Sequence, residues 1–189
     1  KAFLIAEGLD LDRLQSINRL NFYYFFANAW STKRLINSQA NPNSWEYIKD
    51  ELIQELYHLR KCISIKDFEN SSQEFQCQVY TNLGNLFYSI GRFVEALEYW
   101  NLALKVIPDF HMALGNKARG LFEYARLLYD DSHRNIFIYH AYNSIKEALN
   151  DEEIVHPSAC RSFKDLLNHI QTKWPKEYLT SRHSFDYNL

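Results

Sequence analysis

Nine residues between Tyr80 and Pro108 follow a spacing that suits a pair of closely packed helices. They are Tyr80, Leu83, Gly84, Phe87, Gly91, Ala96, Trp100, Ala103 and Pro108. Large side chains at Tyr80, Leu83 and Phe87 fall three and four positions apart, which makes a stripe along one helix face. Gly84 and Ala96 are small and let two helices approach. Gly91 allows the left-handed conformation by which a chain leaves a helix. Pro108 ends the second helix and pre-shapes the following turn. A chain built this way stacks helix–turn–helix units side by side, and its default use is binding rather than catalysis.

Composition agrees with long helices. The 189 residues are 47% hydrophobic and 16% aromatic, with five Gly and four Pro, too few turn formers for a β-rich chain. The net charge of −2 argues against a general attraction to nucleic acid and leaves only local patches such as Lys33, Arg34, Arg60 and Lys61. Cys62, Cys77 and Cys160 lack CxxC spacing and read as buried thiols in a reducing, cytoplasmic compartment. His156 and Cys160 fall one helical turn apart, but a metal site needs about two more ligands. No metal and no cofactor is therefore expected. No apolar run approaches ~20 residues, so no membrane span is expected. The chain opens at Lys1 without Met, and further segments are expected in a longer protein.

The pattern from Tyr80 to Pro108 resembles the tetratricopeptide repeat. That resemblance implies an all-α fold, an α-solenoid of antiparallel helix pairs with about three to four repeats over residues 1–150. Residues 151–189 then supply an additional helix and a tail that leads toward a further domain. Ser16 to Asn37 reads as the first helix, with Tyr23, Phe26, Ala27 and Trp30 as its core stripe. The turn Asn41 to Ser44 follows, and Ser44 caps a second helix from Trp45 to about Cys62, with Leu52, Leu56 and Leu59 inside. Ser71 and Glu74 form a capping box for the next helix. Asp109 caps a third unit in which Asn116 keeps the register of Asn82. Ala141 then lies 45 positions after Ala96, where the repeat length of about 34 would place it sooner. The third unit is therefore elongated. The expectation is a long helix from Phe110 to about Leu128, a turn at Asp130 to Ser132, and a helix from His133 to Leu149. Pro157 opens a further helix that Trp174 and Pro175 end.

In such an array the first helix of each pair lines the concave side. The resemblance places Tyr24, Asn28, Asn82, Asn85, Tyr88, Asn116, Arg119 and Phe122 on that wall. Asn side chains offer donors and acceptors to an extended backbone, and aromatic rings supply contact area. Asn28 and Asn82 match the paired asparagines of carboxylate-clamp repeats. Tyr24, Met112 and Asn116 stand where that clamp carries Lys, Lys and Arg, so a free carboxylate is not the expected determinant. A protein or peptide partner is expected, with oligomerisation left open.

Among enzyme motifs there is no phosphate loop, nucleophile elbow or HExxH. Arg126 and His133 carry the Arg–six–His spacing of HEPN ribonucleases, in which such a pair cleaves RNA through the ribose 2′-OH. The stretch Ala113 to Gly120, then Tyr124 to His133, then Phe137 to Ala141, resembles the repeat region of bacterial HEPN-domain proteins linked to abortive infection and phage defence. The resemblance covers about residues 20 to 150. It implies a sensor or scaffold arm whose nuclease, and any RNA contact, belongs to a separate HEPN domain. The alternative is a ribonuclease component in which Arg126 and His133 act.

Overall fold

A computed structural model describes residues 10–11, 14–40, 49–151 and 155–180. The chain divides into two compact units, residues 1–79 and 80–189. The described residues contain helices and turns and no strand, as expected for an all-α repeat fold.

In unit 1, α1 (Ser16–Ala40) runs antiparallel to α2 (Lys49–Ser64), and a short 3₁₀ turn follows at Lys66–Phe68. The turn at Asn41 to Ser44 and the start of the second helix at Trp45 lie outside the described residues. Leu20, Ala27, Leu59, Cys62 and Phe68 are buried, and the Cys62 thiol lies 3.7 Å from the Leu20 carbonyl oxygen. Burial pushes that thiol up to about 12. Ser16 Oγ donates to the Asp67 carboxylate and ties the start of α1 to the 3₁₀ turn.

The inner face of α2 departs from the expectation. Leu59 is buried, but Leu52 and Leu56 are only partly covered, and Glu51, Glu55 and His58 take the interior positions. The reason lies on α1. Arg34 Nε donates to Glu55 at 2.8 Å, while Asn37 Nδ2 and Lys33 Nζ approach Glu51 Oε1 at 3.1 and 3.2 Å. A buried carboxylate is tolerated when a cation and hydrogen bonds meet it. The interior here is therefore half polar. His58 completes it, with Nδ1 2.6 Å from the Gln54 carbonyl and its ring against Phe26, Tyr57 and Tyr23.

α3 (Gln73–Ser89) begins in unit 1 and ends in unit 2. Its cap sits one residue later than the sequence suggests. Ser72 Oγ accepts from the Phe75 amide at 3.2 Å, whereas Ser71 Oγ turns back to donate to the Phe68 carbonyl. The position paired with the true cap is Phe75, so no capping box forms with Glu74.

Unit 2 continues with α4 (Phe93–Val106), α5 (His111–Arg126), α6 (Asp131–Ala148), α7 (Pro157–Lys173) and the short α8 (Lys176–Thr180). Gly91 takes φ 77° between α3 and α4, a conformation that L side chains resist. Trp100 of α4 is 1% exposed and lies between two glycines of neighbouring helices. A Cβ on Gly84 of α3 would stand 2.4 Å from its Nε1, and one on Gly120 of α5 2.5 Å from its Cζ3. Gly115 of α5 likewise admits the ring of Phe163 from α7, which a Cβ would meet at 2.0 Å.

The third pair is longer, as its register slip predicts, but the extra length lies elsewhere. Ala96 is the fourth residue of α4, whereas Ala141 is the eleventh of α6. Most of the insertion is therefore in the first turns of α6 and not in α5. Asp130 is the cap of α6, accepting from the His133 amide at 2.8 Å, so Asp131 and Ser132 are helical and not a turn. Asp109 does not cap α5; Phe110 holds that place without a side-chain bond. Pro157 stands in the first turn of α7 and Trp174 ends it, in line with the sequence. α8 was not foreseen, and residues 181–189 of the tail lie outside the described residues.

Gly120→Leu should lower stability by about 1–3 kcal/mol or more, because overpacking beside a buried indole forces rotamers and backbone to shift. Urea unfolding followed by circular dichroism measures this, and a midpoint equal to the parent's contradicts the wedge at Trp100.

Stability should also depend on acid. Burial holds His58 below its ordinary 6.5, and burial together with Lys117 does the same for His140. The unfolded chain then binds protons first as pH falls, so the contribution is fully present above about 6.5 and is lost as pH drops through the lowered folded values. The melting temperature should be flat between about pH 7 and 8 and fall below 6.5. His58→Leu should make that fall shallower, and an unchanged slope in both this variant and His140→Leu argues against the assignment.

Candidate functional site

In unit 2 the first helices α3 and α5 lie on either side of α4, and their residues present one polar strip. Asn82, Asn85, Tyr88, Asn116 and Arg119 are all partly exposed there. The strip is fixed from beneath. Trp100 Nε1 donates to Asn85 Oδ1 at 3.1 Å, and Asn116 Nδ2 donates to the same oxygen at 2.8 Å. Asn85 thus spends both lone pairs of its carbonyl on holding α3, α4 and α5 together. Asn85 therefore has a packing role through this oxygen.

Tyr88 packs its ring near Phe93 and Trp100, at centroid distances of 5.7 and 6.0 Å. Burial pushes its phenol above the ordinary value, helped by Glu123, while Arg119 and Arg126 pull the other way. These four side chains therefore share one electrostatic neighbourhood. Arg119 Nη2 donates to Ser162 of α7, at 2.7 Å to the hydroxyl and 3.4 Å to the carbonyl.

Phe122 is 5% exposed. It is covered edge-on by His169 at 5.4 Å and Trp174 at 6.0 Å. Phe122 is therefore largely covered from solvent by these two rings. Tyr24 and Asn28 lie in unit 1, where Tyr24 meets the ring of Phe75 at 5.1 Å and the Asn28 carbonyl accepts from Thr32.

Arg126 and His133 are each engaged locally. Arg126 Nη1 lies 2.9 Å from Glu123 Oε2, and His133 Nδ1 lies 3.1 Å from Asp130 Oδ1. Both side chains are mostly exposed. Among the basic patches suggested by sequence, Lys33 and Arg34 are directed to Glu51 and Glu55, and Lys61 lies over the Tyr57 ring. His156 pairs with Ser158 at the start of α7, and no three His, Cys, Asp or Glu residues group as a metal site among the described residues. Cys62 and Cys77 are buried and Cys160 is half-buried. No helix among the described residues is long and apolar enough to cross a membrane.

Sequence reasoning missed Ser162, His169 and Trp174. The available signal was the amphipathic run that opens at Pro157, which marks another helix beside α5. The contact with Arg119 spans 43 positions, a separation that periodicity does not report.

With this geometry in place, a family model adds one decisive finding, a match to the tetratricopeptide repeat over residues 77–110. These residues form a tetratricopeptide repeat. The matched segment holds Gly84 and Trp100 of the wedge and Asn82, Asn85 and Tyr88 of the polar strip, while Gly120, Asn116 and Arg119 lie beyond it. Comparison with curated proteins and with solved structures returned no match.

Asn85→Ala would leave the Trp100 indole N–H and the Asn116 amide without their acceptor. A loss on the order of 1–3 kcal/mol is expected, as for a buried donor stripped of its partner. Equilibrium unfolding measures it, together with the indole proton shift of Trp100. Parent-like values for both contradict a structural Asn85.

Proposed function

We propose that the chain is a protein–protein interaction module whose partner lies along the polar strip of unit 2. Tetratricopeptide repeats serve protein interaction in general, and residues 77–110 are one. The carrying observation is the support beneath the strip. Trp100 and Asn85 lock α3, α4 and α5 from behind, so Asn82, Tyr88, Asn116 and Arg119 are held on a rigid base at the surface. Preorganised polar and aromatic groups lose less entropy on binding than mobile ones. An extended segment of a partner fits such a strip, because amide side chains meet a peptide backbone with donors and acceptors alike. Tyr24 and Asn28 are proposed as the corresponding contacts of unit 1.

The resemblance of residues 113–141 to the repeat region of HEPN-domain proteins supports a wider setting. In it, the chain is the sensor or scaffold arm of a bacterial defence protein, acting in the cytoplasm, and RNA is handled by a separate domain. The ribonuclease alternative would need Arg126 and His133 to act together. Their local pairing with Glu123 and Asp130 gives it no support.

A random peptide library displayed on phage, panned against the purified chain, tests the reading. Enriched peptides should bind in the micromolar range. Asn82→Arg should weaken them by about tenfold through bulk and charge in the strip, a change on the order of 1.4 kcal/mol. Asn143→Arg, on the exposed side of α6, should not. The opposite pattern would move the site to another surface, and a failure to enrich any peptide would count against an interaction strip.

A further inference from the structure

Arg119 is a partly covered cation whose charge is incompletely met. Its guanidinium is braced by the Ser162 hydroxyl and carbonyl, both neutral. Glu123, one turn further along α5, is drawn instead to Arg126 at 2.9 Å. Among the described residues no carboxylate reaches Arg119. The contrast with other partly covered arginines is direct. Arg34 meets Glu55 at 2.8 Å, and Arg134 meets Asp131 together with the Leu128 and Tyr129 carbonyls. A guanidinium taken partly out of water gains most from a charged acceptor. It carries five N–H donors, and the bonds to Ser162 engage only Nη2. Ser162 fixes its orientation, Tyr88 stands in its electrostatic neighbourhood, and Asn116 precedes it by one turn.

We propose that Arg119, flanked by Asn116 and Tyr88, receives an acidic side chain, a Glu or Asp within the bound segment of a partner protein. This rests on the interaction strip proposed above and adds the chemistry of its ligand. An internal carboxylate suits the site because the bidentate geometry of guanidinium and carboxylate needs one arginine and no chain terminus. A nucleic acid suits it less. Polyphosphate binding draws on several cations at once, whereas the neighbouring Arg126 is already paired with Glu123.

The test uses the full chain with ¹⁵N-labelled arginine side chains. The probes are the capped peptide Ac-Ala-Ala-Glu-Ala-Ala-NH₂, its Gln counterpart, and single-stranded octauridine. The Glu peptide should shift the Arg119 Nε–H signal and the Tyr88 ring signals, and bind at least about fivefold more tightly than the Gln peptide, a difference of roughly 1 kcal/mol. Arg119→Gln, with an unchanged circular dichroism spectrum, should erase the preference. Arg119→Lys should keep part of it. If Arg119→Gln does not fold, Ser162→Ala decides, because loss of the brace should reduce the preference without removing the charge.

Equal response to Glu and Gln peptides, no response to either, or a preference that survives Arg119→Gln overturns the inference. So does octauridine binding at Arg119 more tightly than the Glu peptide. The two proposals fail separately. Panned peptides that bind the strip without needing an acidic residue sink this inference alone. An Arg119-dependent Glu preference in a chain that enriches no peptide sinks the interaction reading instead.

Discussion

The indole of Trp100 fills space that Gly84 and Gly120 leave open, so that α3, α4 and α5 meet on one ring. Its N–H is then anchored to Asn85, which also holds Asn116. Much else in unit 2 follows from this contact. Glycine at 84 and 120 sets how closely the helices approach. The approach sets the spacing of Asn82, Tyr88, Asn116 and Arg119 on the surface. Phe163 against Gly115 extends the same device to α7, and α7 brings the Ser162 that braces Arg119. Packing and the proposed recognition surface are thus consecutive steps of one arrangement.

Unit 1 reaches a helix pair by other means. Its α1–α2 interior carries Glu51, Glu55 and His58, matched by Lys33, Arg34 and Asn37. Removing one member of a buried pair leaves an uncompensated charge and costs more than the intact pair contributes. A substitution that removes one partner of these pairs should therefore be strongly destabilising.

The parts legible in the sequence are those fixed by local spacing. Gly84, Ala96 and Trp100 marked the repeat through close packing within one helix pair, and Gly91 through the positive φ of the turn between its helices. Pro157 and Trp174 marked the two ends of α7. The errors also have physical sources. Ser71 and Ser72 are adjacent candidates for one cap, and only the path of the chain after Phe68 selects Ser72. The slip between Ala96 and Ala141 showed that residues were inserted, but periodicity alone gave no reason to put them in α6, where Asp130 starts the helix early. Carboxylates at 51 and 55 are normally exposed, so nothing in α2 alone revealed that α1 would meet them with cations. Of the polar strip, Asn82, Tyr88, Asn116 and Arg119 were found by register. The packing duty of Asn85 depended on Trp100 and on a helix 31 positions away, beyond the reach of a local pattern.

The claim that unit 2 is organised around a sealed indole is most directly tested by hydrogen exchange at the Trp100 Nε1–H. If the ring is wedged between Gly84 and Gly120 and bonded to Asn85, its proton should exchange only when the unit opens, with a protection close to that of the slowest amides of α4 and α5. An indole proton that exchanges rapidly while those amides stay protected would contradict the account.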